Sequence, residues 1–357
     1  MPRPYNRAMS DTPVSVGQMR GLIKQARGAE NVGLGMIPKP RPGPGEVLIE
    51  VYATGICGTD LHIQADEYPS QPPMVMGHEI TGRVVEAGVG AEEHLGKRVA
   101  PETYFYTCDS CAACRAGRRN LCLARQSIGT HVNGGFATHV LVPARNLHEV
   151  HESVGEHAGA LYEPLSCVTQ ALCDPAVASP GDTALVVGPG AMGNLTAQVL
   201  RAQGARVTVS GTPADRQRLD IAASLGLEVV ESDELERVTP EDGFDVVADA
   251  SGNERGIDAG LRAVRRGGHY VQVGLTGRPI AVDIDLICLH ELVVTSGFAS
   301  TPRSWRRLER LIAEGQVVLD PLVSDVSPLS EWQTSFARTR RADGLKLLLD
   351  PRMDTVA

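Results

Sequence analysis

"DTALVVGPGAMGNLTAQVLRAQG", residues 182–204, holds an unbroken apolar run, Ala184–Val187, ahead of a glycine-rich turn. Such a run predicts a strand buried on both faces. Gly188, Gly190 and Gly193 then fall at G-x-G-x-x-G, and Asn194–Ala202 has helical spacing that ends at Gly204. Alone, the glycine pattern is weak; between a strand and a helix it has the setting of a dinucleotide fingerprint. The first glycine makes the tight turn, the second lets the backbone approach a pyrophosphate, and the third lets the helix pack on the sheet. Free N–H groups at the helix start, around Ala191, Met192 and Gly193, would hold the phosphate charge. An ordinary glycine-rich turn is the competing reading, and the strand–turn–helix context argues against it.

The flanking sequence continues the alternation. "ARVTVSG", "FDVVADASG" and "GGHYVQVG" read as strands. "ADRQRLDIAASLG" and "ERGIDAGLRAVRRGG" lie between them with helical spacing. Strand and helix in turn predict a parallel sheet with crossover helices over 166–300. Residues 19–165 have another texture: short β-like runs such as "GRVVEAG" between Gly/Pro turns, which predict an irregular strand-rich domain. Residues 1–18 read as a polar tail, the first strand starting near Met19. Residues 301–357 read as helix, loop, helix and a last strand, a C-terminal segment expected to return to the first domain. The fold class is α/β, with two domains for 357 residues.

The second strand ends at Ser210 and Gly211, and no acid stands at that tip to bind ribose hydroxyls. Asp215 follows four residues on. Gly211, Thr212 and Arg216 could leave room for a 2′-phosphate and hold it, which favours NADP or dual use. The alternative is that Arg216 and Arg218 are solvated helix charges and NAD binds.

A net charge of −9 argues against a nucleic-acid partner. No apolar run approaches the roughly 20 residues that span a membrane. Four of the eight cysteines, Cys108, Cys111, Cys114 and Cys122, form C-x2-C-x2-C-x7-C. Four thiolates can close a tetrahedral structural zinc site that leaves no position for a reaction. An iron–sulfur cluster is the alternative, but the bacterial run has a shorter last gap and a following Pro. Disulfides are disfavoured without a secretion signal. Four dispersed residues, Cys57, His78, Glu79 and Glu163, could converge on a second, open site of the kind catalytic zinc occupies. Singly, each reads as a common buried residue.

With "GICGTDLHI", "GHE", "CDSCAACRAGRRNLC", "EPL", "GPGAMG" and "GGHYVQVG" in this order, the chain resembles the zinc-containing medium-chain dehydrogenases, in their polyol (sorbitol) and L-threonine dehydrogenase branch. The likeness runs from about Met19 to Asp350. It implies a GroES-like catalytic domain, a Rossmann domain and a homodimer or homotetramer in the cytoplasm. It also implies two zinc ions per chain and NADP or NAD. Cys57, His78, Glu79 and Glu163 match its catalytic zinc site, and the four lobe cysteines its structural one. Thr59 matches the hydroxyl that receives the substrate proton, His62 a relay histidine, and Asp60 a carboxylate that orients His78. The implied reaction is oxidation of a secondary alcohol of a small polar substrate to a ketone. L-threonine 3-dehydrogenase is the second reading. A catalytically dead scaffold would show loss at Cys57, His78 or Thr59, and all three are present.

Overall fold

The computed structural model describes residues 17–354. The sequence-based tail therefore falls almost wholly outside the described residues. The chain forms two compact units. The first takes the described chain up to Val150, then Val326–Arg341 and the chain from Leu347. The second takes His151–Asp325 and Ala342–Lys346.

The first unit is built on antiparallel strands. Glu46–Gly55 lies at the centre of a seven-stranded sheet, pairing with Glu79–Ala87 on one side and with Lys346–Asp350 on the other. His139–Pro143 also pairs with it. Inward residues Val47, Ile49, Val51, Ile80, Val84, Val99, Val140 and Val142 form one buried cluster. Their alternation along each strand is the signature of a sheet with a core face. A second cluster gathers Leu22, Ile23, Ile56, Ile63, Met76, Phe136, Trp332, Phe336, Leu347 and Leu349. The end of the chain is thus part of the core beneath the residues that follow Gly55.

The second unit carries six parallel strands in the order Glu228–Glu231, Arg206–Gly211, Thr183–Val187, Phe244–Asp249, Val264–Gln272, Val293–Ser296. This is the 3-2-1-4-5-6 order of a doubly wound dinucleotide fold, whose order reverses beside the first strand. Ala184, Leu185 and Val186 are fully closed to solvent, as a strand covered on both faces requires. Helix Ala191–Ala202 follows the glycine turn directly. The mixed α/β class, with a GroES-like antiparallel domain and a parallel Rossmann sheet, is the fold of this chain.

Three features differ from the sequence reading. The units divide at Val150/His151 rather than 165/166, because helix Tyr162–Leu172 packs on helix Ala191–Ala202 and helix Pro302–Ala313. The buried bond from the Thr169 hydroxyl to the Ser304 carbonyl, 3.0 Å, ties that packing. For the same reason helix Pro302–Ala313 stays with the nucleotide-type unit, and the return to the first unit begins at Val326. Finally, the expected loop before Trp332 contains a strand, Val323–Pro328, at the edge of the seven-stranded sheet. Its alternation is masked by two prolines and two serines within 321–328.

Candidate active site and metal centres

"CGTDLH" folds as the start of a short helix, Gly58–Gln64, with Cys57 at its N-cap. Asp60 makes the cap: its Oδ2 accepts the Cys57 N–H at 2.9 Å, and its own N–H reaches the Cys57 carbonyl at 3.0 Å. This local bonding draws a polar hexapeptide into a helix and fixes the Cys57 backbone. The far end of the helix is held by Lys24. This side chain is fully buried; its Nζ donates to the Gln64 carbonyl at 3.2 Å and the Gly28 carbonyl at 2.9 Å, and lies 3.7 Å from Asp66 Oδ1. A cation at a helix C-terminus satisfies carbonyls that have no partner within the helix. Apolar positions Ile56 and Ile63 anchor the same segment in the core.

His78 and Glu79 arrive from the neighbouring strand. Gly77, at φ +90°, turns the backbone just before them. Glu79 is the direct antiparallel partner of Gly55. The ligand atoms of Cys57, His78 and Glu79 all lie within 4.8 Å of one another. Asp60 Oδ1 stands 3.6 Å from His78 Nδ1, and neither atom has a hydrogen-bond partner although both are buried. Burial works to lower the His78 pKa. The charge of Asp60 and the Cys57 thiol outweigh it and hold His78 well above its ordinary value. Such a thiol–imidazole–carboxylate set suits a zinc ion with an open position.

Glu163 is buried on helix Tyr162–Leu172 of the second unit, where its Oε1 accepts from the Cys167 thiol at 3.6 Å. The three-residue group is therefore contained in the first unit without it. Thr59 is half-buried on the helix that Cys57 caps. His62 is more open, and its Nδ1 contacts Glu67 Oε2 at 2.8 Å. Glu67 was not singled out from sequence; the signal available was an acid five positions beyond His62, too common a spacing to stand out.

The four lobe cysteines bring their sulfurs within 4.8 Å of one another. Cys108 and Cys122 Sγ are 3.5 Å apart, and Cys108 and Cys114 Sγ 3.9 Å. A tetrahedron of thiolates at the usual Zn–S distance has S···S edges of about 3.8 Å. The sulfurs are far too distant for disulfides and match a zinc cage. The N–H of Cys111 points at Cys108 Sγ (3.3 Å), that of Cys114 at Cys111 Sγ (3.4 Å) and that of Cys108 at Cys122 Sγ (3.5 Å). Donors aimed at sulfur favour thiolate: backbone N–H groups at Ser110 and Cys111 pull Cys108 down to about 6. Cys114, desolvated and crowded by the other thiols, is pushed up to about 12, so a bound cation would favour ionisation of all four.

In the second unit the glycine turn has the expected build. Gly188 takes φ +99°, and a Cβ there would lie 2.8 Å from the Ser251 nitrogen. A Cβ on Gly193 would lie 1.8 Å from the Gly188 carbonyl oxygen, while Gly190 meets nothing within 4 Å. The two outer glycines are thus packed and the middle one faces open space. Asn194, which the sequence reading passed over, donates its amide to the Pro189 carbonyl at 2.8 Å and steadies the turn. At the second strand's tip, Asp215 folds back to accept the Thr212 N–H (3.1 Å) and hydroxyl (2.7 Å). Arg216 pairs with Glu231 at 2.9 Å and with Asp220 at 3.5 Å. Glu231 lies beside Gly211 in register, so an acid does stand near that tip, on the adjacent strand.

The fold, the four-cysteine group and the Cys57–His78–Glu79 group define a two-domain, zinc-binding oxidoreductase. Comparison with known proteins agrees. Residues 43–152 match the alcohol dehydrogenase GroES-like domain and residues 191–314 the zinc-binding dehydrogenase family. The chain is 32% identical to a sorbitol dehydrogenase of Halalkalibacterium halodurans, over 93% of this chain and 99% of that one. It is 34% identical to an L-threonine 3-dehydrogenase of Pyrococcus abyssi, over 84% and 88%. A solved zinc-binding dehydrogenase of Sinorhizobium meliloti, bound to NADP, superposes with a TM-score of 0.85 at 31% identity, over 94% of this chain and all of that one. The chain belongs to the zinc-containing medium-chain alcohol dehydrogenase superfamily, and is a zinc-dependent, NAD(P)-linked dehydrogenase.

Proposed function

We propose that this enzyme oxidises a secondary alcohol of a small polar substrate, a polyol, sugar alcohol or cyclitol, to the ketone. The observation that carries this reading is the Cys57–His78–Glu79 group, set beside a helix that presents Thr59. When bound, zinc supplies Lewis-acid polarisation of the alcohol oxygen, and the nicotinamide supplies the hydride acceptor. Cys57, His78 and Glu79 would hold the metal, His78 through Nε2 because its Nδ1 faces Asp60. Glu163 is assigned as the fourth ligand, a second carboxylate that exchanges with water. Thr59 takes the substrate's hydroxyl proton and His62 passes it outward, with Glu67 as the acceptor at the solvent side. Asp60 is a positioning residue: it holds the Cys57 backbone and orients the His78 ring.

Gly188, Gly190, Ala191, Met192 and Gly193 are assigned to the pyrophosphate, and Gly211, Thr212 and Arg216 to the 2′ end. Arg216 is largely exposed and would exchange Glu231 for a 2′-phosphate, which supports NADP or dual use. A homodimer or homotetramer is assigned as well. The open edge strand Val293–Ser296, with Val293 and Val294 half-exposed, supports self-association. A cytoplasmic setting fits eight cysteines of which none forms a disulfide.

The test is a substrate panel of polyols, cyclitols and L-threonine, run with NAD and NADP in parallel, with and without chelator. Chelator-sensitive turnover of a polyol is the expected result. Turnover of L-threonine alone would replace it with the second reading, which the relative from Pyrococcus abyssi supports. No turnover of any alcohol by enzyme holding two zinc ions would overturn both.

A further inference from the structure

Gly55 opens the "GICGTDLHI" stretch, yet the backbone does not ask for a glycine there. It closes the strand Glu46–Gly55, and it is not among the glycines at positive φ, such as Gly77 and Gly188. The requirement comes from across the ladder. A Cβ on Gly55 would lie 2.0 Å from Glu79 Oε2, 3.1 Å from its Cδ and 3.2 Å from its Cβ; these are the three nearest heavy atoms. Paired residues of an antiparallel ladder leave the same face, so the Glu79 side chain lies over the bare Cα of Gly55. On the same strand as Glu79, Gly82 makes a contrast. A Cβ there would lie 2.1 Å from the Glu50 carbonyl oxygen, so that glycine is required by backbone approach. At Gly55 the conflict is with one side chain.

That side chain, of Glu79, is enclosed. It is 2% exposed, and its carboxylate belongs to the group that also holds Cys57 Sγ and the His78 ring. From this geometry we infer that Gly55 is a positioning residue for the metal centre: its missing side chain is the space in which the Glu79 carboxylate is held toward Cys57 and His78. A methyl at position 55 would drive the carboxylate off the position it shares with the other two ligands. The inference rests on the reading of Cys57, His78 and Glu79 as the catalytic metal site. It explains why the first residue of the stretch and the second residue of "HE", far apart in sequence, constrain each other.

The experiment is a double-mutant cycle of Gly55→Ala and Glu79→Ala, read as metal affinity rather than activity. Zinc is titrated against a chromophoric chelator, and cobalt-substituted protein gives the visible bands of the two sites separately. The four-cysteine site is the internal control. Gly55→Ala is expected to weaken the open site about tenfold or more and shift its cobalt bands, leaving the four-cysteine site unchanged. In the Glu79→Ala background it should add nothing. Equal effects of Gly55→Ala with and without Glu79, or no effect on either metal signal, would overturn the proposal. If Gly55→Ala alone fails to fold, folding of the double variant supports the clash with Glu79. Failure of both, with Glu79→Ala folded, places the requirement in the backbone and overturns it. A wild-type chain that takes up only the four-cysteine metal would instead overturn the reading on which the proposal rests.

Discussion

Oδ1 of Asp60 stands 3.6 Å from Nδ1 of His78, and Asp60 is completely closed to solvent. The same carboxylate grips the Cys57 N–H through its other oxygen. One buried side chain therefore bonds the backbone of one grouped residue and faces the ring of another.

Asp60→Asn keeps this shape and removes the charge. Loss of such a supporting carboxylate weakens a metal site about 10- to 100-fold. The expected outcome is chain that retains about one zinc after dialysis against a mild chelator under which the wild type keeps two. Elemental analysis checks it, and full retention would remove Asp60 from its proposed role.

The pH response of the metal-free site follows from the same pair. His78 in the folded, metal-free chain has a pKa well above 6.5, because Asp60 and Cys57 outweigh burial. A zinc ion must displace that proton, so affinity at the open site rises with pH and levels off only above the raised value. The stability contribution runs the other way. It is complete below the ordinary histidine pKa of about 6.5 and is lost as pH rises through the folded value. Chelator-treated enzyme should therefore lose thermal stability between those two values, and zinc-loaded enzyme should lose less. Melting curves against pH, with and without zinc, decide it.

Lys24 anchors the helix that carries Thr59, Asp60 and His62. Lys24→Met fills similar volume but leaves the Gln64 and Gly28 carbonyls without their charged donor. Hydrogen bonds to charged groups contribute roughly 1.5–3 kcal/mol each, so losing two is expected to cost roughly 3–6 kcal/mol. Denaturant unfolding of the metal-loaded protein measures it. Turnover should fall while both zinc ions remain; unchanged turnover and stability would show the helix is held elsewhere.

On the proposed reading, cofactor choice turns on Arg216, at the start of helix Arg216–Ser224, and Glu231, at the end of strand Glu228–Glu231, which pair at 2.9 Å. Glu231→Gln should release Arg216 and raise the NADP-to-NAD preference, whereas Arg216→Ala should lower it. A salt bridge this exposed contributes under about 1 kcal/mol, so shifts of up to about fivefold are expected. Dissociation constants for both cofactors test the pair, and a preference indifferent to both changes would place 2′ recognition elsewhere.

The parallel sheet was legible because its signals are local. Ala184–Val187 is an apolar run of strand length, and Gly188, Gly190 and Gly193 punctuate it at fixed spacing. The four-cysteine lobe was legible for the same reason, all its ligands falling within 108–122. Strand Val323–Pro328 was not, because it is held by the neighbouring sheet rather than by its own pattern. Helix Gly58–Gln64 was not legible either, because its cap is made by the Asp60 carboxylate, an arrangement no periodicity reports.

By itself the sequence determined the class of chain and its residue types: a dinucleotide-type turn, a four-thiol lobe, and a dispersed set of Cys, His and Glu. Only the tertiary structure decided how that set divides. It brought Cys57, just past the end of one antiparallel ladder, to His78 and Glu79 at the start of the facing strand, left Glu163 on a helix of the second unit, and set an acid from the next strand beside Arg216. The physical reason is that ligand geometry and charge pairing act through space over a few ångströms. Which residues come that close is set by strand pairing and core packing, not by their separation along the chain.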